Sequence, residues 1–183
     1  MDAIKHRLSE TQKKQQAQIL AVEIPLANNK GVAIADATDY EYLRKFNWYL
    51  HTTGYARATI TETRKGVYMH RLLLNAKPGD QVDHISGNRL DNRRANIRMC
   101  TQSQNNANMN TPIHNTSGFK GVHWHMQRNG KGKWLAQIAV DGKNIYIGVF
   151  VDIKDAIRAY DTAARKYFGE FARTNASRLE QAS

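Results

Sequence analysis

Residues 82–108 read VDHISGNRLDNRRANIRMCTQSQNNAN, and four side chains in this stretch set the terms for the rest of the chain. Asp83 and His84 are adjacent, Asn96 follows His84 by twelve residues, and Asn105 follows Asn96 by nine. A carboxylate and an amide oxygen are hard donors, suited to Mg²⁺ or a similar cation. An imidazole beside them can take a proton from water near neutral pH. Together these are the parts that metal-assisted phosphodiester hydrolysis needs.

The local pattern supports the grouping. Gln81 to His84 is suited to a short strand, Ile85-Ser86-Gly87-Asn88 to a turn-rich exit from it, and Asn96 to Cys100 to a returning strand. Thr101 and Gln104 stand at the spacing of a capping box, which starts a helix and puts Asn105 on its first or second turn. Consecutive strand residues face opposite ways, so Asp83 and His84 converge only where the strand bends at its end.

With these residues in view, the stretch resembles the HNH endonucleases, in the branch whose third motif residue is Asn, common in phage and intron-encoded homing enzymes. The DH, GN, DN and NxR pairs carry the likeness across the 27 residues. The resemblance implies a ββα-metal fold, with His84 as general base, Asp83 and Asn105 as metal ligands, and Asn96 holding the loop and orienting His84. It implies Mg²⁺ (or Mn²⁺) as cofactor. Asn88, Asp91 and Asn92 match the family's loop, tied down by side-chain to backbone bonds. Met69-His70-Arg71, just upstream, is also typical of the branch. His70 either contacts the scissile phosphate or the metal's outer shell, or is a satisfied, partly buried histidine. Arg71, Arg89, Arg93, Arg94 and Arg98 surround the motif and suit phosphate neutralisation, because the guanidinium fork matches phosphate oxygens.

Composition narrows the classes. The chain has 183 residues, a net charge of +11 and a single cysteine, Cys100. The charge points to a polyanionic partner. Residues 118–183 carry +5 of it and residues 69–117 carry +3, so duplex DNA is expected along the motif and the C-terminal part. One cysteine excludes an intramolecular disulfide and a cysteine-based zinc knuckle, so no structural zinc is expected. No run of 18 apolar residues occurs and the N-terminus lacks a signal-peptide core. The expectation is a soluble cytoplasmic protein of a bacterium or phage-infected cell, with no membrane partner, and a monomer.

Upstream of the motif, residues 1–20 form a polar arm or short helix. AVEIPL, KGVAIA, FNWYLH and YARATI read as short strands within 21–68, and Asp39 to Phe46 as a helical turn or two with Thr38 or Asp39 at its N-cap. Trp48, Tyr49 and Tyr55 read as core or sheet-packing residues. Val67 to Leu74 is a strand, or a strand entering a helix. The motif occupies 69–110, and the Asn-, Thr- and Ser-rich residues 111–117 read as a linker.

From Gly118 the pattern becomes Lys120–Met126, Trp134–Val140 and Asn144–Phe150 as strands, with Asn129-Gly130 and Asp141-Gly142 at the hairpin turns. An amphipathic helix follows, capped by Asp152 and stopped at Gly169, with Ile153, Ala156, Ile157, Tyr160, Ala163, Ala164 and Tyr167 on its apolar face. The sheet's inner face is Val122, Trp124, Trp134, Ala136, Ile138, Ile145 and Ile147. Its other face is polar and basic, as β-ribbons that enter the major groove are. FKGV, KWLAQI, IYIGVF and AIRAYDTAARKYFGEFARTN look like the plant ethylene-response-factor (APETALA-type) DNA-binding domain, over residues 118–175. That resemblance implies DNA contacts from Lys120, His123, His125, Gln127, Gln137, Asn144 and Tyr146. The plant domains carry arginines where this chain has Lys120, His123, His125, Ala139 and Asn144, so their target sequence does not transfer. A short tail, 176–183, closes the chain.

The fold class expected is therefore α+β: a β-rich N-terminal region, a ββα-metal motif, and a three-stranded antiparallel sheet packed on one helix. The function expected is metal-dependent DNA cleavage, one nick per monomer, of the homing or mobile-element type, tethered by the C-terminal sheet. Two rivals share the charge. One is a DNA-binding regulator with an inactive motif, and the other is an RNA-directed protein.

Overall fold

The computed structural model describes residues 20–111, 114–126 and 130–176. The N-terminal arm over 1–19, Pro112 and Ile113 of the linker, Gln127, Asn129 of the first hairpin turn and the tail from 177 lie outside the described residues. The described residues are mixed α and β, with four small sheets among them, and the chain divides into two compact units at Met99/Cys100.

In the first unit, β1 (Ala21–Pro25) and β2 (Val32–Asp36) form an antiparallel hairpin. A 3-10 turn at Ala37–Asp39 leads into the one-turn helix α1 (Tyr40–Leu43). Asp39 does not cap that helix; its carboxylate instead accepts from Nε and Nη2 of Arg94 at 3.0 and 2.9 Å. A two-pronged bond to a cation outcompetes one backbone N–H. Three short strands follow, β3 (Tyr49–Leu50), β4 (Ala56–Thr59) and β5 (Gly66–Tyr68), with β4 in the middle. β5 runs directly into α2 (Met69–Leu73), and β6 (Gln81–His84) pairs with β7 (Ile97–Cys100). Alternate residues point inward, so Ala33 and Ala35 of β2 and Ala56 and Ala58 of β4 are buried with Ile24, Leu43, Trp48, Met69 and Ile97. Trp48 also donates its indole N–H to the Leu43 carbonyl at 2.8 Å, satisfying the end of α1. Burial of about 150–250 Å² by such a ring makes it the anchor of this small core.

The second unit begins with α3 (Gln102–Asn108), then β8 (Val122–Met126), β9 (Gly132–Val140), β10 (Lys143–Phe150) and α4 (Ile153–Phe168). The three strands form an antiparallel sheet with β9 central, and Val122, Ala136 and Ile138 pack on Ala156, Ile157, Tyr160 and Ala164 of α4. Gly121 has φ +71° and an added Cβ there would overlap the Tyr160 ring, so only glycine lets the chain enter β8 beneath that ring.

Several sequence expectations shift. The first strand of this sheet starts at Val122, not Lys120. Trp124, expected inward, is half-exposed: it sits on an edge strand, edge-on to Trp134 at 4.9 Å. Phe168 is buried where Tyr167 was expected, because helical periodicity from Ile157 and Ala164 reaches 168 while Tyr167 falls on the flank. The segment read as a linker is ordered by side chains where it is described. Asn115 Oδ1 accepts from the N–H groups of Ser117 and Gly118, and the Ser117 hydroxyl bonds the Val122 carbonyl at 2.6 Å. The compact units divide upstream of it, and α3 packs with the C-terminal part through Ala107.

Candidate active site

The loop between β6 and β7 is fastened at both ends. Asn96 donates from Nδ2 to the Asp91 carbonyl at 2.7 Å and accepts at Oδ1 from Ser86 N–H at 2.9 Å. Its own carbonyl accepts from Ile85 N–H at 2.8 Å. The far side of the loop docks on β2: Ile34 N–H donates to the Leu90 carbonyl and Asn92 N–H to the Ile34 carbonyl, at 2.8 and 2.7 Å. Asn88 closes a turn by accepting from Leu90 N–H, and Gly87, at φ +80°, makes the reversal after His84.

Within this frame His84 is 5 % exposed. Its Nε2 meets Oδ1 of Asn92 at 3.4 Å. The amide of Asn92 is fixed by its other end, since Nδ2 donates to the Leu90 carbonyl at 3.0 Å and a carbonyl can only accept. Oδ1 is therefore the end of the amide turned to the imidazole. Rings wall the imidazole in: Tyr55 at 5.6 Å and His70 edge-on at 5.0 Å, with Tyr55 also 4.9 Å from His70. Burial pushes the His84 pKa below its ordinary value, against the bond to Asn92 and the charges of Asp83 and Asp91. His70 is driven further, to about 3, by burial and then by the nearby charges of His84 and Arg71. It is neutral at working pH, and its Nδ1 is buried with no hydrogen-bond partner among the described residues.

Asp83 faces a different neighbour. Its Oδ2 accepts from Nε and Nη2 of Arg98, on β7, at 3.1 and 3.0 Å, and the carboxylate is 5 % exposed. The other arginines are also tied into the unit. Arg93 grips Asp91 through Nε and Nη2 at 2.8 and 2.6 Å; burial works to raise the Asp91 pKa, but this pairing holds it below the usual carboxylate range. Arg94 takes Asp39, and Arg71 donates to the carbonyls of Asp80 and Lys77. Arg89, exposed on the loop, donates to the Thr53 carbonyl and lies over the Tyr55 ring at 5.0 Å.

In the second unit Asn105 sits one turn into α3, behind a capping box in which Thr101 Oγ1 accepts from Gln104 N–H and Gln104 Oε1 from Thr101 N–H. Lys120 has a use its sequence position did not reveal: its ammonium donates to the carbonyls of Asn106, Ala107 and Met109. Strand register puts His123, His125, Gln137, Asn144 and Tyr146 on one face of the sheet, with Tyr146 opposite Gln137 and Asn144 opposite Ala139. His125, Asn144 and Tyr146 are exposed, and His123 and Gln137 are half-buried.

Asn92, read from the sequence only as a loop tie, is the residue whose side chain meets the His84 imidazole. The available signal was the DN pair itself, eight residues past His84, but nothing in a sequence says which of two nearby asparagines points at the imidazole. Among the described residues no group of three or more His, Cys, Asp or Glu is placed to hold a metal, so a cation at Asp83 would need amide or water oxygens as well.

Comparison with known proteins agrees with this stretch. A family model described as HNH endonuclease matches residues 67–107. The chain is 30% identical over 154 residues to a protein of Acanthamoeba polyphaga mimivirus named an uncharacterized HNH endonuclease, covering 82% of this chain and 78% of that protein. It is 33% identical over 95 residues to Protein 3.8 of Escherichia phage T7, covering 52% of this chain and 75% of that one.

Proposed function

The chain belongs to the HNH endonuclease family, and from that premise we propose that it is a metal-dependent endonuclease that nicks duplex DNA, using His84 as general base. That it is a nuclease follows from the family; the metal, the nick and the tether are our reading. One observation carries the reading: His84 is buried, its pKa is lowered by that burial, and its Nε2 meets an asparagine whose amide is fixed at its other end.

The chemistry of the donors suits a divalent cation. Asp83 offers a carboxylate and Asn105 an amide oxygen, both hard, and the family resemblance assigns these two the metal. Bound there, Mg²⁺ or Mn²⁺ supplies Lewis-acid stabilisation of the charge on the phosphate and the leaving oxygen. The remaining work belongs to the chain. His84 takes the proton of the attacking water, a transfer favoured near neutral pH because burial keeps the imidazole unprotonated. Tyr55 and His70 hold the ring plane, and Asn96 holds the loop on which Asn92 stands. Arg98 fixes one carboxylate oxygen of Asp83, which orients the other. Arg89, exposed above Tyr55, is the arginine we assign to a DNA phosphate; Arg71, Arg93, Arg94 and Arg98 serve first as internal ties. Products with 5′-phosphate and 3′-hydroxyl ends follow from departure of the 3′-oxygen.

We assign the tether to the exposed face of the second unit. His123, His125, Gln137, Asn144 and Tyr146 share that face, Lys131, Lys133 and Lys143 flank it, and the ethylene-response-factor likeness supports the role. No helix among the described residues is long and apolar enough to cross a membrane.

Purified protein incubated with supercoiled plasmid in Mg²⁺ or Mn²⁺, beside EDTA, His84→Ala and Asn92→Ala samples, tests the reading. Nicked circles should need the cation and His84, and Asn92→Ala should slow nicking about ten- to a hundredfold, the usual cost of losing a residue that orients a ligand or base. If the plasmid, and DNA from the protein's own genomic neighbourhood, both stay intact while a gel shift persists, the protein is a DNA-binding regulator instead.

A further inference from the structure

Helix α3 carries Asn105 and has only seven residues, Gln102–Asn108. A helix of two turns is unstable alone in water, and the carbonyls of its last turn need donors from elsewhere. The N-terminal end is satisfied locally by the Thr101–Gln104 box. The C-terminal end is satisfied locally only at the Asn106 carbonyl, which accepts from Met109 N–H at 3.3 Å. It has no basic residue in its last turn, and Met109, at φ −59° and ψ 147°, leaves the helix extended instead of through a left-handed cap.

Arg173 N–H donates to the Ala107 carbonyl at 3.3 Å, and the charged donors come from the far side of the following loop. Nζ of Lys120 reaches the carbonyls of Asn106 at 3.0 Å and Met109 at 2.9 Å, with a short bond to Ala107 between them. An ammonium has three N–H groups and no acceptor, so these three carbonyls use it completely. A cation also stabilises a helix at this end, where the macrodipole is negative. Lys120 is itself gripped through its backbone: its N–H donates to Asn175 Oδ1 at 2.8 Å and its carbonyl accepts from Asn175 Nδ2 at 3.1 Å. Asn175, 2 % exposed, is anchored in turn by Asp161 of α4. A continuous line of bonds thus runs from α4 to the end of α3.

We propose that Lys120 is a positioning residue for strand cleavage, fixing the axis and last turn of α3 and through them the amide oxygen of Asn105. This rests on Asn105 being a metal ligand. It also replaces the DNA contact that the plant-domain likeness gives to Lys120. Burial, and then the charge of Arg173, pull the Lys120 pKa down to about 8, as befits an ammonium removed from solvent.

The test uses the full chain with Lys120→Met, which keeps the aliphatic stem and removes the donors, and Lys120→Arg, which restores charge and donors in another geometry. In Lys120→Met, amide hydrogen exchange over residues 103–109 should quicken about tenfold or more, the size expected when bonds to a charged donor are lost. The Mg²⁺ concentration for half-maximal nicking should rise by about the same factor while DNA affinity on a gel holds, and Lys120→Arg should recover part of both. A loss of DNA affinity with unchanged metal dependence would make Lys120 a phosphate contact and overturn the proposal. So would unchanged exchange in α3. Asn105→Ala separates the two readings. Wild-type metal dependence in that variant removes Asn105 from the metal site, and the positioning role with it, while faster exchange in Lys120→Met would still show the clamp.

Discussion

His70 shows how much a single buried ring can weigh. It is 7 % exposed, its Nδ1 has no hydrogen-bond partner among the described residues, and its pKa is lowered to about 3 from an ordinary 6.5. Between those values the unfolded chain binds a proton that the folded one refuses, so stability rises with pH across the window and is lost as pH falls from 6.5 toward 3. The slope is at most about 1.4 kcal/mol per pH unit. Urea midpoints taken at pH 7 and pH 5 should therefore fall on acidification in the wild type. His70→Phe should flatten most of that fall, leaving the smaller share from His84, and should be no less stable at pH 7, since it no longer buries an unpaired nitrogen. A wild-type midpoint independent of pH would contradict the burial argument. Sequence alone left this histidine open between a phosphate contact and a packed side chain, because a sequence shows a titratable group but not what surrounds it. The arginines illustrate the same limit. Their number and neighbourhood were legible and suggested phosphates, yet Arg93, Arg94 and Arg98 are each answered by a carboxylate, two of them within fifteen residues along the chain and one 55 away.

Among the elements, those set by local chemistry were the easiest to read. Thr101 and Gln104 announced α3, Asp152 the start of α4, and Asp141-Gly142 the turn between β9 and β10, because caps and tight turns use residues two to four apart. Thr101→Ala should remove the box and cost about 1 kcal/mol, read as a lower melting temperature of the second unit and faster exchange at the Gln104 amide. An unchanged melt would mean that packing through Ala107 alone sustains the helix. What escaped local reading were elements placed by distant partners. Trp124 alternates correctly for the inner face but sits on an edge strand, and the C-terminal end of α3 looks uncapped until Lys120 is seen across the loop.

At the scale of the whole chain, the family motif does not coincide with a structural unit. Residues 67–107 match the family, but the units divide at 99/100, and α3 shares the core of Val122, Ile157 and Phe168. A chain stopped after residue 111 should therefore lose α3, with NMR signals of residues 102–108 collapsing to random-coil shifts, although it retains every motif residue. Retained helical shifts there would show that the helix needs neither the sheet nor Lys120. The docking of the His84 loop on β2 has a further consequence, in the order of events by which the protein forms. Ile34 and Asp91 are 57 positions apart, and the strand-like bridge between them closes a long stretch of chain at an entropic cost that local contacts cannot offset until both ends are in place. The β1–β2 hairpin, made of neighbours in sequence, can assemble as soon as it leaves the ribosome, whereas the loop that seats His84 must wait for it. The seat of the His84 loop is thus a late product of folding.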